Sequence, residues 1–142
     1  MKDHKRKAQS ILVVDDDTEC LTFTCEALES TYAVTTASDG DEALLKARKK
    51  KPDLIVLDVM MPGGKDGFST FCDLRNDPGT RNIPVIMLSE VARITGLPFG
   101  ADGMNRYLGS TPAVFLEKPV SVENLLNAVK KALDETSKGK SP

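Results

Sequence analysis

The sequence has 142 residues, of which 40% are hydrophobic and 28% are charged, and its formal net charge is -2. These values are ordinary for one soluble globular domain that is large enough to bury a core. A nucleic-acid-binding domain is usually basic, and a membrane-spanning helix needs roughly 18 consecutive apolar residues; this sequence has neither feature. We therefore expect a cytoplasmic protein that binds no nucleic acid and no membrane through this chain.

Apolar strands alternate with amphipathic helices along the chain. Five apolar runs, typical of strands buried on both faces, are Ile11–Val14, Tyr32–Ala37, Asp53–Leu57, Ile83–Leu88 and Ala113–Leu116. The helices are predicted after a cap at Thr18, after a cap at Ser38 or Asp39, over residues 67–75 and from Ser121 onward. Their apolar faces are predicted to be Leu21, Cys25 and Leu28; Ala43, Leu44 and Ala47; Phe68, Phe71 and Cys72; and Val122, Leu125, Leu126, Val129 and Leu133. This alternation predicts a parallel sheet with helices on both faces.

Polar side chains follow several of the predicted strands. The carboxyl ends of parallel strands share one edge of a sheet, and open α/β sheets bind their ligands at that edge. The residues concerned are Asp15 and Asp16 after the first strand, Asp58 after the third, Ser89 after the fourth and Lys118 after the fifth. We therefore expect the polar chemistry of the protein to lie at this edge.

The three aspartates predict a metal site. Carboxylates brought together at the edge of an apolar core repel one another and resist desolvation unless a cation bridges them. Oxygen ligands in this number suit Mg²⁺, which usually works beside a phosphate. A lysine and a serine hydroxyl are suited to binding phosphoryl oxygens, and a carboxylate can act as the nucleophile that becomes an aspartyl phosphate.

Five separated motifs together resemble the receiver domains of bacterial-type two-component response regulators. In chain order they are VVDDD, LIVLDVMMP, DG at 66–67, VIMLS and EKP. The resemblance covers residues 10 to about 135, between a basic tail of residues 1–9 and a tail of residues 136–142 that we expect to be disordered. It implies a doubly wound five-stranded parallel sheet in the order 2-1-3-4-5, with helices on both faces.

The resemblance also implies a role for each polar residue. Asp58 is the phosphorylated aspartate, and its donor is a phosphohistidine on a histidine kinase or a histidine phosphotransfer protein. Mg²⁺ is bound by Asp16, Asp58 and the carbonyl of Met60, and by Asp15 largely through water. Ser89 and Lys118 hold the phosphoryl group, Ser89 and Phe115 form the switch, and the bond between Lys118 and Pro119 is cis. His4 is the only histidine, so the phosphodonor is expected to be another protein.

In the family, phosphorylation alters the face formed by the fourth helix, fifth strand and fifth helix, which meets a downstream protein target. The resemblance therefore implies a signalling domain that catalyses only its own phosphotransfer and dephosphorylation and has no other enzymatic activity. This sequence departs from the family in its loop MMPGGKDG, which is one residue longer than usual, and in Glu90, where a small residue is usual. The interval from Ser89 to Lys118 is also long and rich in glycine and proline, so residues 91–112 are expected to form a mobile partner-binding surface rather than a regular helix. An inert loop insertion is the alternative.

Two other functions stay open at this point. One is an aspartyl-phosphate phosphohydrolase, although such enzymes generally carry a second aspartate two residues after the nucleophile, where this chain has Met60. The other is a receiver that signals without phosphate, which the complete set of acids, serine and lysine disfavours.

Overall fold

The computed structural model describes residues 9–58, 67–89, 113–117 and 120–140. The strands within these ranges are β1 (Ser10–Val14), β2 (Ala33–Ala37), β3 (Leu54–Asp58), β4 (Val85–Ser89) and β5 (Ala113–Glu117). The helices are α1 (Thr18–Leu28), α2 (Gly40–Lys50), α3 (Gly67–Asn76) and α4 (Val122–Lys140). The helix α4 follows β5 along the chain, which is the place of the fifth helix in the family that the sequence resembles. No helix in the described ranges is long and apolar enough to cross a membrane.

The five strands form one parallel sheet in the order β2-β1-β3-β4-β5. β3 lies at its centre, with Val13 of β1 opposite Val56 on one side and Ile86 of β4 opposite Val56 on the other. Both the strand order and the parallel orientation confirm the prediction. All carboxyl ends of the strands therefore lie at one edge of the sheet.

Within the described residues, two helices cover each face of the sheet, which explains why a strand such as β1 is apolar from Ile11 to Val14 without interruption. Side chains alternate between the two faces of a strand. On one face, Leu12 and Val14 pack with residues of α2 and α3; on the other, Ile11 and Val13 pack with residues of α1 and α4. The side chains of Ile11, Leu12, Val13 and Val14 are each at most 1% exposed, and such burial contributes about 1.5–3 kcal/mol for each large apolar side chain.

Aspartates cap the first two helices. Asp17 has an extended backbone and accepts a hydrogen bond from the amide of Glu19 at 3.0 Å. Thr18, which we predicted as the cap, is instead the first helical residue, because the adjacent carboxylate occupies the capping position. At α2, Asp39 accepts from the amide of Glu42 at 2.8 Å, which settles the choice between Ser38 and Asp39. The Glu42 carboxylate in turn accepts from the amide of Ser38, the residue before the cap, at 2.9 Å.

Two residues predicted to face the core face solvent instead. Cys72 is exposed because the buried face of α3 is formed by Phe71 and Leu74, three residues apart, and Cys72 lies to one side of that line. Val122 is 42% exposed because it is the first residue of α4, where the helix has not yet reached the sheet. The side chain of Phe68 lies outside the described residues.

The tail also differs from its prediction. α4 continues to Lys140, so residues 136–140 are helical rather than disordered. The segment from Leu125 to Leu133 is anchored on the core, and extending an existing helix costs far less than starting one.

Candidate functional site

The predicted acidic cluster forms at the carboxyl ends of β1 and β3. Asp15 and Asp16 directly follow β1, and Asp58 is the last residue of β3. Val14 and Leu57 are partners in the parallel register, so the next residues along each strand, Asp15 and Asp58, come out side by side. The three side chains each place a carboxylate oxygen within 4.8 Å of the others.

Burial differs within the cluster. Asp15 and Asp58 are only 3% and 4% exposed, whereas Asp16 is exposed. The cluster therefore has two buried carboxylates beneath one that faces solvent. A cation that enters from solvent would meet Asp16 first and would then contact the two buried acids.

Backbone contacts hold Asp15 in place. The amide of Asp17 donates to Oδ1 of Asp15 at 2.9 Å, and the amide of Asp15 donates to the carbonyl of Ala37 at 3.1 Å. The first contact is an Asx turn, in which an aspartate accepts from the amide two residues later. We did not predict this contact, although an aspartate at the start of a loop is its usual sequence signal. The turn and the β2 contact together hold the Asp15 carboxylate in one orientation at the edge of the sheet.

The donor set fits a hard divalent cation. All three side chains offer carboxylate oxygens, and their combined charge in a largely buried place is compensated best by a small ion of high charge. Mg²⁺ commonly takes one or two carboxylates and completes its shell with water and phosphate oxygens. Asp15, Asp16 and Asp58 are the residues that could hold such an ion.

The structure describes the other predicted site residues only in part. Ser89 ends β4, and because Leu88 is the partner of Asp58, the backbone of Ser89 lies at the same edge of the sheet as the acids. Phe115 lies in β5 opposite Met87. The side chains of Ser89 and Phe115 lie outside the described residues. So do Met60, Lys118, Pro119, Glu90 and the whole of residues 91–112.

The family model described as "Response regulator receiver domain" matches residues 11–130. The response regulator PleD of Caulobacter vibrioides is 40% identical over 115 residues, which cover 78% of this chain and 23% of PleD. The alkaline phosphatase synthesis transcriptional regulatory protein PhoP of Bacillus subtilis is 46% identical over 99 residues, which cover 66% of this chain and 40% of PhoP. The chain thus spans less than half the length of either relative.

Among solved structures, the chain resembles a CheY-like response regulator receiver domain protein from Methanospirillum hungatei. The TM-score is 0.77 and the identity 27%, and the match covers 94% of this chain and 99% of that one. The strand order, the three clustered aspartates and the family match over most of the sequence agree. The chain belongs to the response regulator receiver domain family.

Proposed function

We propose that this receiver accepts a phosphoryl group on Asp58 from a phosphohistidine of a histidine kinase or a histidine phosphotransfer protein. The observation that supports this most directly is the meeting of Asp15, Asp16 and Asp58 at the carboxyl edge of the sheet. As a partner of such kinases, the protein would work in the cytoplasm.

The reaction requires a nucleophile and a way to neutralise charge. An Asp58 carboxylate oxygen attacks phosphorus, the new O–P bond forms, and the N–P bond to the donor imidazole breaks. The electron pair of that bond stays on the imidazole nitrogen, which takes a proton. Bound Mg²⁺ would offset the negative charge of the carboxylates and the phosphoryl oxygens. Attack by water on the aspartyl phosphate later returns Asp58 to its starting state.

Each remaining residue has a proposed part in the step. Asp15 and Asp16 hold the ion, and the Asx turn at Asp15 favours a ligand role for that carboxylate. The carbonyl of Met60 is a further ligand, and Ser89 and Lys118 bind the phosphoryl oxygens. Ser89 lies on the strand next to Asp58, which agrees with this role.

The signal is proposed to leave the site through the strands next to β3. Ser89 ends β4, and Phe115 lies in the neighbouring strand β5, so a movement of Ser89 has a short path to that strand. The receiving face consists of the family's fourth helix, β5 and α4, and it binds a downstream protein. Residues 91–112 belong to this face in our proposal.

The decisive experiment measures the mass of the protein after incubation with acetyl phosphate and Mg²⁺. We expect an adduct of one phosphoryl group that persists for minutes and is lost in Asp58→Asn, because an amide does not attack phosphorus as a carboxylate does. Asp41→Asn, in the first turn of α2, is the matched control and should still be labelled. Rapid turnover without an adduct would support the phosphohydrolase, and no reaction would support the phosphate-independent receiver.

A metal titration tests the cluster separately. Mg²⁺ affinity should fall strongly in Asp16→Ala, because the substitution removes a charged ligand. An unchanged affinity would contradict the ligand role of Asp16, whereas labelling of Asp58→Asn at another residue would contradict the choice of nucleophile.

A further inference from the structure

The outward face of α2 carries the most exposed large apolar side chain in the described part of the chain. Leu45 is 64% exposed, compared with 42% for Phe23 and for Val122. Arg48 and Lys49 follow three and four residues later, so they lie beside Leu45 on the helix surface. A shallow groove runs along this surface, lined by Glu42, Leu45, Lys46, Arg48 and Lys49.

The same stretch concentrates positive charge. Residues 45–51, LKARKKK, contain five basic residues and no acidic one. The whole chain has a net charge of -2, so the remaining residues sum to -2 - 5 = -7. Cations at the end of a helix favour its dipole, which accounts for some of this charge. The dipole does not account for a leucine exposed among the cations.

Intramolecular contacts hold part of this surface in one arrangement. The Arg48 guanidinium bonds the carboxylate of Asp77, which lies just after α3. The Lys46 ammonium pairs with Glu42 at 3.0 Å and donates to the carbonyl of Thr36. These contacts restrict the side chains of Lys46 and Arg48, which line the groove together with Leu45. A partner would therefore meet a surface whose walls are already ordered.

We propose that the α2 face, defined as Leu45, Lys46, Arg48 and Lys49, binds an acidic amphipathic helical segment of another protein. An apolar side chain of that segment would cover Leu45, and its carboxylates would face Lys49 and the neighbouring cations. Charge complementarity selects an acidic partner, and the leucine selects one with an apolar stripe. A nucleic acid fits less well, because Asp41 and Glu42 share the first turn of the same helix and would repel phosphates.

The basic end of the α2 face lies away from the acidic cluster, whereas Lys46 reaches back to Thr36 near the carboxyl end of β2. α2 follows β2 from the carboxyl edge of the sheet and ends before β3 begins, so its basic end is near the opposite edge. A segment bound there leaves Asp58 open to a phosphodonor. The proposal does not depend on the function proposed for the acidic cluster.

The test uses the full chain labelled with ¹⁵N and a synthetic helical peptide of about 18 residues, with leucines at helical spacing and glutamates elsewhere. We expect saturable shifts of the backbone amides of α2 that weaken as salt is added. A peptide with the same composition in scrambled order should shift these amides little, because it lacks the apolar stripe.

Two variants and two matched controls locate the binding. Leu45→Ser and Lys49→Glu should each weaken binding about tenfold or more, since each removes one of the two selecting features. Val122→Ser and Lys130→Glu make the same changes at exposed positions of α4 and should leave the affinity unchanged.

Three outcomes would overturn the proposal. They are equal binding of the scrambled peptide, an absence of shifts at α2, and stronger binding of a single-stranded oligonucleotide. A second copy of the chain is the remaining occupant to consider, because α1 exposes Phe23 between Glu19 and Glu26. If a second copy covers the α2 face, sedimentation of the protein alone would show self-association that Leu45→Ser abolishes. That result would also contradict the proposal of an acidic partner.

Discussion

Removing one charge from the acidic cluster should make the metal-free protein more stable. The carboxylate oxygens of Asp15, Asp16 and Asp58 lie within 4.8 Å of one another. At an effective dielectric constant of about 20, two unit charges at this distance repel by about 3.5 kcal/mol. Asp16 is exposed, so water screens its share of the repulsion. Asp58→Asn should therefore raise the free energy of unfolding by about 1–3 kcal/mol at neutral pH.

Urea denaturation at pH 7 measures this change, first in EDTA and then in Mg²⁺. In EDTA the variant should unfold at higher urea than the wild type. An ion that binds only the folded state and is present at 100 times its Kd raises the free energy of unfolding by about 2.7 kcal/mol. The wild type should gain more of this stabilisation than the variant, because the variant has one charged ligand fewer. In Mg²⁺ the difference in the free energy of unfolding between the variant and the wild type should therefore become smaller or change sign. Asp41→Asn is the control and should show no gain. A variant less stable than the wild type in EDTA would refute the argument from repulsion.

Three further predictions concern the scaffold. Leu74→Ala should lower the free energy of unfolding by about 2–5 kcal/mol in the same urea assay, because Leu74 is fully buried between α3 and the sheet. Asp39→Ala should lower the free energy of unfolding by about 1 kcal/mol, because α2 loses its cap, and the backbone amides of α2 should then exchange hydrogen faster. The hydrogen bond from Arg48 lowers the pKa of the Asp77 carboxyl in the folded protein. The contact therefore stabilises the fold fully at pH values above the pKa of Asp77 in the unfolded chain, and this stabilisation is lost as the pH falls through the lower pKa of Asp77 in the folded protein. Stability measured from neutral pH to about pH 3 should therefore fall less steeply in Arg48→Gln, and identical slopes would contradict the pairing.

Much of the fold follows from local patterns. A strand covered on both faces must be apolar at every position, and Ile11–Val14 satisfies this without interruption. The position of the acids could be predicted in the same way, because a carboxylate that comes directly after a buried strand lies at the edge of the sheet. The shared register of β1 and β3 then brings Asp15 beside Asp58. Each strand was predictable from its own few residues, and the meeting of Asp15 with Asp58 was predictable because parallel strands share one carboxyl edge.

Other features depend on the distant packing of the chain. Phe71 and Cys72 are neighbours of similar polarity, and only the position of α3 on the sheet decides that Phe71 is buried. Arg75 lies over the Phe71 ring at 4.5 Å and donates to the carbonyl of Ile83, which also fixes the rotation of α3. Val122 fits the apolar spacing of α4, but the contact of this helix with the core begins only at Leu125. The spacing of residues along a helix does not contain this information.

The parallel order of the sheet also determines when parts of the core can form during synthesis. β1 is made first, but its partner β3 follows 54 - 11 = 43 residues later, counted between the paired Ile11 and Leu54. At typical rates of about 5–20 residues per second, this delay is roughly 2–9 seconds. Leu125 and Val129, which cover Ile11 and Val13, come later still. One face of the nascent sheet is therefore covered only in part, by α1, until α4 has been made, so α4 determines when this face stops exposing aggregation-prone apolar surface.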